Sequence, residues 1–118
     1  MKRLALLAAL VLSSQAGAQQ VSLGQGAVLR GLDKITGQVS DIEVANGAAA
    51  QLGRLQIELG ECRYPEDNPA GNAYAYLTIY DEGAVDPVFS GWMIASAPAL
   101  NALDNARYDV WVIRCKTE

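Results

Sequence analysis

Arg54-Leu55-Gln56-Ile57-Glu58-Leu59-Gly60 alternates without a break: Leu55, Ile57 and Leu59 face one way, and Arg54, Gln56 and Glu58 the other. Successive side chains on a strand leave opposite faces of the sheet, so RLQIELG predicts a half-buried strand with one face in water, running on to Cys62. The same period returns in Ala73 to Tyr80, where Ala75, Leu77 and Ile79 take one side and Tyr74, Tyr76, Thr78 and Tyr80 the other. Between them, Tyr64 to Asn72 carries two prolines and a glycine and reads as a surface loop.

Upstream, Ala27 to Asp33 predicts a strand, followed by a turn at Lys34-Ile35-Thr36-Gly37 and a second strand from Gln38 to Ala45. Asn46-Gly47 closes that strand with the strongest short hairpin signal in the chain. Ala48 to Gln51 fits a brief strand or a helical turn. Downstream of an acidic turn at Asp81 to Pro87, Val88 to Ala95 predicts a strand through Phe89, Trp92 and Ile94. Ser96 to Asn105 has helical character, with Ser96 placed to cap, Pro98 in the first turn, and Leu100 and Leu103 three apart; a short helix or helical turn is expected near 97–104. The last strand, Tyr108 to Cys115, puts Tyr108, Val110 and Val112 on one face and Trp111, Ile113 and Cys115 on the other. By size, Trp92 and Trp111 are both expected in the core. Six to eight short strands punctuated by turns predict an all-β fold, an antiparallel β-sandwich or small barrel, in one domain over residues 27–118.

The N-terminus reads as an export signal. Lys2 and Arg3 precede the apolar run Leu4 to Leu12, and Ala16-Gly17-Ala18 supplies small residues for cleavage after Ala18. The apolar run is about half of the roughly 20 residues a helix needs to cross a bilayer, so insertion after cleavage is not expected. Residues 1–18 are thus read as a cleavable signal peptide and residues 19–26 as a flexible leader. Without Lys2 and Arg3, 7 basic residues face 13 acidic ones, and the formal net charge moves from −4 to −6. That charge is the wrong sign for nucleic acid or anionic lipid.

Cys62 and Cys115 are the two cysteines of the chain. In an exported domain such a pair is read first as a disulfide, with two buried thiols or half of a metal site as alternatives. The loop it would close, about 54 residues, corresponds to roughly 4 kcal/mol in the chain-entropy picture. The chain has no histidine and no C-x-x-C, which weakens the zinc and copper readings.

Chemistry is poorly provided for. Without histidine there is no Ser-His or Cys-His pair and no imidazole base. Ser90 lacks a nucleophile elbow, Asp41 and Glu43 read as the wet face of a strand, and the acids of Asp81 to Asp86 lack calcium-loop spacing. No catalytic residue, metal ligand or cofactor is therefore expected. Arg63 is placed to meet an anionic group, Glu61 or Glu66. Tyr74, Tyr76 and Tyr80 share a strand face, and rows of tyrosine suit recognition, although they equally cover a second sheet or stack across strands.

Four stretches carry a family resemblance: LRGLDKITG at 29–37, CRYPEDNP from Cys62, FSGWMIASAPALNAL from Phe89 and the closing YDVWVIRC. Together they resemble the DUF2155 family, exported proteins of alphaproteobacterial type with no assigned activity, from about Ala27 to Cys115. The resemblance implies export to a bacterial periplasm and paired cysteines, and brings no catalytic residue. The expectation is a non-catalytic binding or accessory module of the cell envelope that contacts a protein partner there through Tyr74, Tyr76 and Tyr80. The alternatives are a structural envelope protein, or a small-ligand binder or enzyme with a pocket of Trp92 or Tyr108 and acids such as Asp81 or Asp109.

Overall fold

The computed structural model describes residues 20–117; the export segment read at 1–18, and Gln19, lie outside the described residues. Eight strands run through the described residues: β1 (Val21–Leu23), β2 (Gly26–Asp33), β3 (Val39–Ala45), β4 (Ala49–Leu52), β5 (Leu55–Pro65), β6 (Tyr74–Asp81), β7 (Phe89–Ile94) and β8 (Tyr108–Lys116). Every pairing is antiparallel. The first sheet runs β1-β5-β6-β7, with β4 also on β5; the second runs β3-β2-β8. The sheets share one apolar interior and no ladder, so the fold is a β-sandwich and not a closed barrel.

The alternating residues build that interior. Leu55, Ile57, Leu59, Ala75, Leu77 and Ile79 from the first sheet meet Ala27, Leu29, Val110 and Val112 from the second, all 0–1% exposed. Burying each Leu or Ile side chain contributes about 1.5–3 kcal/mol, which makes this layer the main source of stability. Asn46-Gly47, with Gly47 at φ 78°, turns the chain from β3 in one sheet to β4 in the other. Gly53, at φ 56°, makes the tight turn from β4 into β5.

Two register shifts decide where the cysteines point. In β5 the partners step from Leu59↔Leu77 to Cys62↔Ala75, leaving one extra residue in β5. In β8 they step from Leu29↔Val112 to Val28↔Arg114, leaving Ile113 extra. One extra residue reverses the alternation. Cys62 therefore continues the inward row of Leu55, Ile57 and Leu59, and Cys115 that of Val110 and Val112. The two are bonded, with Cα atoms 5.7 Å apart across the sandwich. The expected disulfide forms; the face expected for Cys115, shared with Trp111, is corrected by the bulge.

Two further expectations are corrected and one is narrowed. The leader at 19–26 is not a loose segment throughout: β1 pairs with the end of β5, where Gly24 N–H donates to the Cys62 carbonyl at 2.7 Å and Glu66 N–H to the Gln20 carbonyl at 3.0 Å. A three-residue edge strand held by its backbone leaves no periodicity to read. The helical stretch near 97–104 shrinks to a 3₁₀ turn at Pro98–Leu100 without a side-chain cap. Ser96 is instead engaged by Asn72, which accepts its N–H at 3.0 Å and donates to its hydroxyl at 3.0 Å. Leu103 is buried while Leu100 is 73% exposed, so the pair forms no common face. The tryptophans lie outside the core: Met93 is the buried residue of its strand pair and Val110 and Val112 are those of β8, which turns Trp92 and Trp111 onto the outer faces, half-buried.

Candidate functional site

Residues directly opposite in an antiparallel ladder share a face, so the register maps the outer surface of the first sheet row by row. One row is Leu23, Arg63, Tyr74 and Ile94; the next holds Tyr76 opposite Trp92. Beyond them come Ala49, Glu58, Thr78 and Ser90, then Gln51, Gln56 and Tyr80. The surface is aromatic and aliphatic at one end and polar at the other.

The aromatic end is tightly organised. Tyr76 meets Trp92 edge to face, with ring centroids 5.3 Å apart and planes at 77°. The Arg63 guanidinium lies over the Trp92 ring, 5.1 Å from its centroid, and is held there by an ion pair with Glu61. The β5 bulge lies beside this cluster: its extra residue falls between Leu59 and Cys62, and Gly60 there is next to Tyr76. The Tyr76 hydroxyl is bonded to the Ser90 hydroxyl at 3.2 Å. Asn72 donates to the Tyr74 hydroxyl at 3.2 Å while its carbonyl oxygen accepts Ala73 N–H at 2.9 Å, orienting that ring from the loop. Val21, Arg63, Tyr74 and Trp92 line a shallow hollow of about 360 Å³. Val21 and Leu23 beside it are 42% and 59% exposed.

The structure divides the three tyrosines singled out from the sequence. Tyr74 and Tyr76 join the aromatic cluster. Tyr80 stands four residues further along β6, beside a polar hollow of about 500 Å³ that it lines with Gln51, Arg54, Gln56, Glu58, Asp81 and Glu82. Arg54 holds the two acids there, at 3.4 Å from Asp81 and 3.3 Å from Glu82. Sequence reasoning missed Trp92 as a surface residue and Val21 and Leu23 altogether. The available signal was Met93: either Met93 or Trp92 must face outward.

Asp41 and Glu43 are held as structural partners. Asp41 pairs with Arg30 at 2.8 Å and Glu43 with Lys116 at 2.8 Å, on the solvent face of the second sheet. Hydrogen bonds from those cations hold both carboxyls below their ordinary range. The residues named for an alternative pocket are dispersed, although Tyr108 lines a hollow of about 340 Å³ with Asp33 and Arg107. Tyr108 is buried and its hydroxyl accepts Arg54 N–H at 3.3 Å, Asp109 sits on the second sheet opposite Leu32, and Trp92 and Asp81 lie at opposite ends of the first. Among the described residues, no three His, Cys, Asp or Glu side chains cluster as metal ligands would.

A family model described as an uncharacterized protein conserved in bacteria, DUF2155, matches residues 27–115. The chain belongs to the DUF2155 family. The match opens one residue inside β2 and ends on Cys115, so it spans both sheets, the disulfide and the Arg63–Tyr74–Tyr76–Trp92 cluster, and leaves out Val21 and Leu23. No curated protein and no solved structure matches the chain.

Proposed function

We propose that this DUF2155 protein is an exported, non-catalytic binding or accessory module of the bacterial cell envelope, cleaved after Ala18 and resident in the periplasm, and that it grips another envelope protein through Arg63, Tyr74, Tyr76 and Trp92. The observation that carries the reading is the cluster itself. Trp, Tyr and Arg are the residues in which interface hot spots are richest. Here they are held by neighbours on rigid strands, so little conformational freedom is lost on docking. Half-buried aromatic rings beside exposed Val21 and Leu23 offer an apolar centre, and Asn72, Ser90 and Glu61 offer a polar rim. The disulfide supports an oxidising compartment, and Lys2, Arg3, the Leu4–Leu12 run and Ala16-Gly17-Ala18 support the export route.

The test is crosslinking in intact envelopes followed by purification of the tagged protein. Wild type is expected to bring down one reproducible protein and to begin at Gln19 by N-terminal sequencing. The Tyr76→Ser, Trp92→Ala variant is expected to keep its circular dichroism and disulfide and to lose the partner. A folded variant that retains the partner removes this face from the proposal. A mature protein that still carries Lys2 removes cleavage.

A further inference from the structure

The charges of the sandwich are segregated between its sheets. Residues 49–94, which hold β4 to β7 and their turns, carry seven acids and two bases, a net −5. The second sheet and its connections, residues 26–45 and 95–116, carry five of each and balance to zero. There the ion pairs Arg30–Asp41, Lys116–Glu43 and Arg107–Asp33 join opposite charges. The whole imbalance of the described residues therefore belongs to the sheet that carries the aromatic cluster.

Its acids flank that cluster along the strands. Glu61, Glu66 and Asp67 stand at the aromatic end, the last two exposed in the loop after β5. Glu58, Asp81, Glu82 and Asp86 stand at the Tyr80 end. The two bases are already committed, Arg63 to Glu61 and Arg54 to Asp81 and Glu82, so neither offsets the surplus elsewhere. An apolar centre between two acidic margins selects its occupant by charge. Rim charges act over roughly a Debye length, about 8 Å at physiological salt, speeding encounter with an opposite charge and rejecting a like one.

We propose that the occupant of this face is a basic protein segment: an aromatic or aliphatic side chain that seats against Trp92 and Tyr76, flanked by Lys or Arg that meet the acids at either end. An anionic lipid surface is repelled by the same margins. The inference rests on the reading of the aromatic cluster as the partner face and adds the chemistry of the partner.

A random-peptide display library selected on the purified protein separates the two ideas. Binders are expected to be enriched in Lys and Arg around an apolar residue, to weaken tenfold or more against Trp92→Ala, and to lose affinity steeply with salt. A Glu58→Gln, Glu66→Gln, Asp67→Asn variant is expected to fold as wild type, because these are surface groups, and to abolish the basic preference. Binders that depend on Trp92 but show no basic enrichment overturn the charge inference and leave the face intact. Basic binders indifferent to both Trp92→Ala and Tyr76→Ser, or no Trp92-dependent binders at all, overturn both.

Discussion

Asp33, at the end of β2, is bound from three sides. It accepts the N–H groups of Ile35 at 3.0 Å and Thr36 at 3.3 Å, and Arg107 reaches it with a bidentate guanidinium whose shorter contact is 2.8 Å. The hydrogen bond from Arg107 is the largest cause that brings its pKa from an ordinary 3.8 down to about 2. A carboxylate with a depressed folded pKa stabilises the fold above its unfolded pKa and loses that contribution as pH falls through the folded one. The window here runs from pH 3.8 down to about 2. Asp33→Asn is expected to lower Tm at neutral pH and to flatten the fall of Tm across that window, measured by thermal melts at stepped pH. An unchanged acid slope would remove Asp33 as its source. At this scale the sequence misled most where residue type stood in for position. Trp92 and Trp111 were expected inside because large aromatic side chains usually are, whereas the face of a strand residue is settled by its neighbours: once Met93, Val110 and Val112 point in, the tryptophans cannot.

At the scale of elements, the β4–β5 turn shows how local backbone and distant packing meet. Gly53 has φ 56°, and a Cβ there would run into the Tyr108 hydroxyl from β8. Gly53→Ala meets both left-handed backbone strain and overpacking, each about 1–3 kcal/mol. The substitution is expected to lower Tm, and Tyr108→Phe in the same chain is expected to restore part of the loss by removing the clashing oxygen. No recovery in the double variant would remove the hydroxyl oxygen as the source and leave the backbone and the Tyr108 ring carbons, which a Cβ also meets. Six of the seven longer strands were legible because alternation and the Pro-rich loop are local signals; β4 read equally well as a helical turn, and Asn46-Gly47, read as a hairpin signal, joins strands of different sheets. β1 was not legible, having only three residues. The helical turn is shorter than the stretch that suggested it, and its expected capping serine is taken by Asn72, 24 residues away in sequence. Nor were the bulges legible: an extra residue shows itself only against the partner strand, and RLQIELGEC and YDVWVIRC each read as unbroken runs.

For the whole molecule, the disulfide ties β5 of one sheet to β8 of the other across 53 residues of separation. A closure of that length corresponds to roughly 4 kcal/mol. Reductant is therefore expected to lower Tm by several degrees or more, and to leave a Cys62→Ser, Cys115→Ser variant unmoved; an unshifted wild type would show that the bond carries no stability. The sequence by itself determined the all-β class, the main strands, the inward rows of β5 and β6, the pairing of the two cysteines and an acidic balance, because alternation, composition and cysteine count are written along one chain. Only the tertiary structure decided which faces the cysteines and tryptophans take, that Tyr80 parts company with Tyr74 and Tyr76, and that Arg63, Tyr76 and Trp92 meet. These facts depend on register between strands and on which strands are neighbours, and a single bulge is enough to turn every residue beyond it to the other side of the sheet.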